Sequence, residues 1–351
     1  MNQSLIKKLV FALIVGLFYS CNDDDGSPIP LGEYDFGAFI INEGNFTEGD
    51  ASISYYGYTT AETQLNVFKG INNLALGDVA QSGYAYDTLL FVVVNNSNKV
   101  EVMHRYTMES LYTIEAALPR YMTVAGTKGY LTEWVSFSDA GRLSIVDLTT
   151  GKIDASITVG FGAEDVEVIS NRAYVSNSFE STISVVDLTN NEVVGTISMP
   201  SPSPAQMDID INGDLWVACK GGFDANFSPT NDGAIFKVDL GTNEVTGSIE
   251  FNANVSGKLA FNLLKDEVYF YVENNVFTRN VNSTSTSTEP LIAGEDFTSL
   301  YGIGVNPDTG EIYLADSKNF VEDGEVFRYS SNGTFLSSFT VGRGPNGFVF
   351  N

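Results

Sequence analysis

Aromatic rings recur in this chain beside amides and guanidinium groups, in short polar interruptions between apolar runs. They are Asn42, Asn45 and Phe46; Asn95; Arg120 and Tyr121; Trp134; Phe179; Phe223 and Phe227; Tyr301; Phe320; and Arg343. Rings offer rigid contact area, while amides and guanidinium groups fix orientation, so the set suits a large, flat, partly polar small molecule. Burying about 300 Å2 of apolar ligand surface would contribute roughly 7 kcal/mol gross. Lost ligand freedom and loop ordering offset part of that gain.

Catalytic chemistry has less to work with. His104 is the single histidine, on a predicted strand with no nucleophile beside it. A Ser-His-Asp triad would have to use it, and no Gly-x-Ser-x-Gly turn is present. Zinc sites need nitrogen and sulfur ligands that are scarce here. Asp208-Ile209-Asp210-Ile211-Asn212-Gly213-Asp214 begins like a calcium-binding loop, but Cys219 stands where the bidentate Glu belongs. Strand alternation running into an Asn-Gly turn accounts for the pattern better. Asp78, Glu164 and Asp165 lie near strand starts and leave a calcium-dependent lactonase or hydrolase as an alternative. The expectation is a non-enzymatic protein with no cofactor and no metal.

The elements that must position these residues follow a period. Each unit reads as four short strands, A to D, bounded by Gly, Asn and Asp. Glu164–Ile169, Ala173–Asn177, Thr182–Asp187 and Val193–Ile197 show it best, with turns at Asn171-Arg172 and Thr189–Glu192. Predicted A strands begin near Gly77, Arg120, Glu164, Ala205, Gly257 and Leu300, at spacings of 43, 44, 41, 52 and 43. That is the period of propeller repeats. The first recognisable unit opens at Gly37–Asn42, which matches strand B, and the chain ends on an isolated strand A at Asn346–Phe350. Pairing the two closes a ring and removes two exposed sheet edges. The fold class is therefore all-β: a seven-bladed β-propeller of four-stranded antiparallel blades. Its B–C and D–A connections share one face around the central channel, where the candidate binding residues gather.

The ends and the charge set the expected compartment. Lys7 and Lys8 precede an apolar run from Leu9 to Tyr19, too short to span a bilayer, that ends in Ser20-Cys21. This is the pattern of a bacterial lipoprotein signal. It predicts a signal peptide over 1–20, a lipidated acidic tether over 21–34 starting at Cys21, and the propeller over 35–351. Removing 1–20 takes away Lys7 and Lys8 and no acid, so the net charge moves from −26 to −28. Such a chain is repelled by nucleic acid and by anionic headgroups, so its only expected membrane contact is the lipid anchor. With Cys21 acylated, Cys219 has no disulfide partner and reads as a buried thiol.

Ala173-Tyr174-Val175-Ser176-Asn177, continued through Ser184-Val185-Val186-Asp187-Leu188-Thr189 to Ile197, resembles the YVTN repeat of the YncE-like propellers. Two further blocks narrow the likeness: Phe39–Phe46 with Ala51–Tyr56, Gly77–Ser82 and Val93–Ser97, and Tyr301–Pro307 with Glu311–Asp316. Together they resemble the Bacteroidetes surface-layer-type YncE-like lipoproteins, which include the cobalamin-capturing BtuG group. The likeness runs from about residue 37 to 351 and is weakest from 200 to 290. It implies a surface-exposed outer-membrane lipoprotein that captures a small nutrient, cobalamin or another corrinoid, and passes it to a TonB-dependent transporter. A protein-interaction or adhesion propeller is the other alternative.

Overall fold

Alternating apolar positions separated by Asp- and Asn-headed turns make nearly every described segment a strand, most of them five to seven residues long. A computed structural model describes residues 31–226, 228–230, 232–285 and 289–351, and Gly32–Asn351 form one unit. The predicted signal segment, Cys21, the tether up to residue 30, and Phe227 lie outside the described residues.

The fourth blade shows the local causes. Its strands are Ala163–Ile169, Arg172–Asn177, Thr182–Asp187 and Glu192–Ser198. Ser170 and Asn171 take positive φ (45° and 64°), the conformation that matches hairpin twist in a two-residue turn. At the end of strand C the Asp187 carboxylate accepts the Thr189 N–H at 2.7 Å. Asp147 and Asp239 do the same for Thr149 and Gly241. The repeated Val-Asp pair is thus a side-chain-closed turn.

Seven antiparallel sheets result. Six have four strands, the first completed by only Thr63–Gln64 and followed by a short helix, Val67–Asn72. The sixth differs from the four-strand expectation. It holds Val255–Phe261, Glu267–Val272 and Asn275–Asn280, with Ile292 making a lone bridge to Val276 in the fourth position. The A strands pack side by side around the axis, each against the A strands of both neighbours, while the D strands alternate exposed and covered residues at the periphery.

Apolar side chains fill the gaps between blades. Phe91 and Val93 of blade 2 meet Met122, Leu131 and Val146 of blade 3, and Tyr174 and Ile183 of blade 4 meet Leu215 and Val217 of blade 5. The ring closes as the termini predict. Pro345–Phe350 pairs with Gly37–Asn42, Phe39 opposite Val349 and Ile40 opposite Phe348. Asn351 completes the seam, donating to the Tyr34 carbonyl at 2.8 Å and accepting from Arg105 Nε at 2.8 Å. Among the described residues no helix is long and apolar enough to cross a membrane.

Candidate functional site

Every inner strand breaks register near its start. The shift falls between Ala80 and Ser82, Pro119 and Met122, Ala163 and Val166, Pro204 and Met207, Val255 and Leu259, and Leu300 and Gly302. On the closing strand it falls beside Asn346. A bulge adds residues to one strand and re-aims their side chains. Here the bulged residues are the ones that line the channel: Gln81, Arg120 and Tyr121, Glu164 and Asp165, Gln206, Lys258, Tyr301 and Asn346. Backbone groups at the bulges are taken up by side chains of the preceding blade. Ser82 Oγ donates to the Arg120 carbonyl, Thr132 Oγ1 to that of Glu164, Ser176 Oγ to that of Ala205, and the Met207 N–H to Asp165.

The channel has two compartments that share Gln81, Tyr121 and Lys258. The larger, about 400 Å3, carries Asp165, Glu167 and Asp208 with Lys265. Burial pushes Asp165 up to about 7, only partly countered by the Met207 and Val166 N–H groups, and it pushes Glu167 well above the usual carboxyl range beside Asp208. The smaller, about 120 Å3, is the mouth on the B–C and D–A face, lined by Glu43, Arg120, Glu164, Lys220, Ser256, Lys258, Tyr271 and Tyr301.

Two ion clusters frame that mouth. Arg120 forks onto Glu164 at 2.9 and 2.7 Å, and Trp134 donates its indole N–H to the same carboxylate at 3.0 Å. Burial alone would raise Glu164, but Arg120 and Lys220 overcome it and hold the group below its ordinary value. Across the mouth, Glu43 accepts from the Tyr301 hydroxyl at 2.8 Å and the Asn346 amide at 2.5 Å. Burial raises the Tyr301 hydroxyl well above its ordinary value, and Glu43 adds to the effect. Lys258 donates to the Asn346 carbonyl at 2.8 Å, and burial brings its ammonium down to about 8 against the pull of Glu43.

Aromatic rings stand over this charged floor. The Trp134 ring lies 3.9 Å from the Arg120 guanidinium carbon. Phe179 is 4.8 Å and Phe137 5.7 Å from Trp134, ring to ring. Phe137 is 75% exposed and Phe179 44%. Gly162, at φ 69°, lets the Phe179 ring cross it, since a Cβ there would fall 2.6 Å from the ring. Opposite, Phe320 packs edge-on against Tyr301 at 4.9 Å. With its amide turned, Asn45 bridges the Phe320 carbonyl and Arg343, whose guanidinium also pairs with Asp50 at 2.6 Å.

The sequence-predicted residues therefore divide. Arg120, Tyr121 and Tyr301 line the mouth, the first two from a strand bulge and not from a loop; Trp134 and Phe179 stack over Arg120, Phe320 packs on Tyr301, and Asn45 and Arg343 lie farther out beside Phe320. Phe46, 70% exposed, and Phe223, 57% exposed, stand on outlying loops. Asn42 and Asn95 need correction. The Asn42 amide is fully buried and donates to Ser52 and Ser54 Oγ. The Asn95 amide donates to the Pro119 carbonyl at 3.0 Å, in the wall between blades. Asp78 sits among loop N–H donors of Thr47 and Asn96, apart from the channel. Among the described residues no group of three His, Cys, Asp or Glu side chains is placed to hold a metal ion. Asp210 instead takes N–H donors from Asn212, Asp214 and Trp216.

Sequence reasoning passed over Glu43, Lys220, Lys258, Tyr271 and Phe137 as site residues. Lys258 carried a usable signal, its place directly after the Gly257 strand start.

The profile described as "Domain of unknown function (DUF5074)" matches residues 36–346. No curated protein matches the chain. Among solved structures, a quinonprotein alcohol dehydrogenase-like protein from Bacteroides thetaiotaomicron is similar at TM-score 0.69 and 12% identity, over 90% of this chain and 78% of its own. A functionally unknown protein from Desulfotomaculum acetoxidans is similar at 0.68 and 11%, over 90% and 98%. Kuenenia stuttgartiensis hydrazine synthase follows at 0.60 and 15%, over 74% and 85%. At these identities the likeness is one of fold.

Proposed function

We propose that this chain, which belongs to the DUF5074 family, is a non-catalytic capture propeller that binds a small molecule at the rimmed mouth of its channel. One observation carries the reading: the exposed Phe137 and Phe179 rings cluster on the half-buried Trp134, which lies on the buried Arg120–Glu164 pair. Leaving the Phe137 and Phe179 rings at the surface forgoes their burial, and a ligand stacked on them would recover it. The polar floor beneath would then orient that ligand.

The lipoprotein-like start of the sequence supports an anchor at Cys21 and a place on the outer membrane, exposed at the cell surface. The resemblance to the YncE-like surface lipoproteins supports a corrinoid as the cargo and a TonB-dependent transporter as the partner that receives it. Titration calorimetry of the purified protein with cyanocobalamin and cobinamide tests this directly. Saturable heat that falls about tenfold or more in Trp134→Ala and Phe179→Ala supports corrinoid capture at the rim. Saturable heat unchanged in both variants removes the rim from the binding site. No heat removes the corrinoid.

A further inference from the structure

The charges of the mouth do not balance. Arg120, Lys220 and Lys258 face Glu43 and Glu164 across one cavity of about 120 Å3. Both oxygens of each carboxylate already accept hydrogen bonds, Glu164 from Arg120 and Trp134, Glu43 from Tyr301 and Asn346. The Lys220 ammonium has no hydrogen-bond or ion-pair partner among the described residues, and its stem lies across Gly257, where a Cβ would meet Lys220 Cε at 2.5 Å. Lys258 has one neutral carbonyl partner. The cavity is left with one unanswered positive charge inside a chain of net charge −26.

We propose that the channel mouth is a subsite for a single carboxylate group, received between the Lys220 and Lys258 ammonium groups, with the Ser256, Tyr271 and Tyr301 hydroxyls around it. This deepens the capture reading and rests on it for the ligand's placement: the carboxylate sits on the floor and the ligand's body stacks on the rim. Charge count selects the class. A monoanion closes the balance, a dianion such as a phosphate monoester overshoots it, and a cation worsens it. Size agrees, since a cavity of about four water volumes accepts a carboxylate and a short stem. Lys258 is also poised to respond to its occupant. Glu43, Glu164, Arg120, Lys220, Tyr121, Tyr271 and Tyr301 face it, and an added carboxylate would stabilise its charged form.

The test uses a matched pair, benzoate and benzamide, titrated by ligand-observed NMR into the purified protein and into Lys220→Met, Lys258→Met and Phe179→Ala. Methionine keeps the length of the lysine stem, and thermal unfolding checks that each variant is folded. Benzoate is expected to bind at least about tenfold more tightly than benzamide. Either lysine variant should abolish that preference, and in the native protein it should fade above about pH 8 as Lys258 loses its proton. Phe179→Ala should weaken both ligands together and keep their ratio. Benzoate that binds no better than benzamide, including failure of both to bind, overturns the subsite, as does a preference that survives the lysine changes. The two readings fail separately. Loss of preference with a Phe179 effect intact leaves rim capture standing, while a lysine-dependent preference indifferent to Phe179 leaves only the subsite.

Discussion

At the scale of single residues, the Arg120–Glu164 pair decides whether the mouth holds its shape. It sits in the wall between blades 3 and 4, forked, capped by Trp134 and almost wholly buried. Burial disfavours the charged form of each partner alone. Together the carboxylate is held low and the guanidinium high. Arg120→Met should therefore destabilise the protein by about 3–5 kcal/mol in denaturant unfolding, because it strands Glu164. Arg120→Met with Glu164→Gln should recover most of that loss, and a double variant as unstable as the single would show that the pair is not the cause. Residue types made Trp134 and Phe179 visible in the sequence. Lys220, just past the end of its strand, was not, because an isolated lysine there looks like any solvated lysine until the fold sets it over Gly257. The buried Cys219 thiol, pushed well up by desolvation, has the inert environment its apolar neighbours suggest.

At the scale of elements, the inner strand is the working part, and its bulge is what separates a wall from a site. Spacing alone located these strands within a few residues of where they begin. It could not locate the bulges, since one or two extra residues do not disturb a period of more than forty. The closing strand bears on the whole ring. Pro345–Phe350 completes blade 1 and lies between the inner strands Leu300–Val305 and Ala80–Tyr86. A Cβ at Gly302 would stand 2.7 Å from the Asn346 backbone, which shows how closely the seam is fitted. Truncation after Gly344 should abolish the single cooperative transition in calorimetry and expose strand edges that aggregate. A truncated chain that melts as one monomeric unit within a few degrees of the full chain would show that the seam is dispensable.

At the scale of the molecule, buried acids set the pH response. Asp165, raised to about 7, and Glu167, raised further, stay protonated in the folded chain while they ionise when it unfolds. Between about pH 4 and 7 the folded state thus binds more protons, so stability is highest at the acid end of that window and falls as pH rises through it. Self-repulsion at a net charge of −26 acts in the same direction. Carboxylates held low, such as Glu164 and Asp210, lose their contribution only below about pH 4. Lys258 acts oppositely at higher pH: with its folded value lowered to about 8, stability rises from there toward about 10.5. Urea unfolding should show the protein more stable at about pH 5 than at pH 8, by a few kcal/mol, with Asp165→Asn narrowing the gap. A flat profile, or one that rises from pH 5 to 8, would mean that these acids are hydrated and ionised in the folded ring.

The sequence by itself determined the all-β class, the seven units, the seam between Gly37–Asn42 and the last strand, and the aromatic character of the loops. Those properties follow from local alternation, turn chemistry and a long period, all of which are linear in the chain. Only the tertiary structure decided which polar residues meet. Glu43 and Tyr301 are 258 positions apart, and Asn346 reaches Glu43 across 303. Their meeting depends on ring closure and on bulges that turn side chains off the strand alternation. The same geometry turns Asn42 and Asn95 into the walls of the ring, because an asparagine that joins strands or blades has the same spelling as one left at a loop surface.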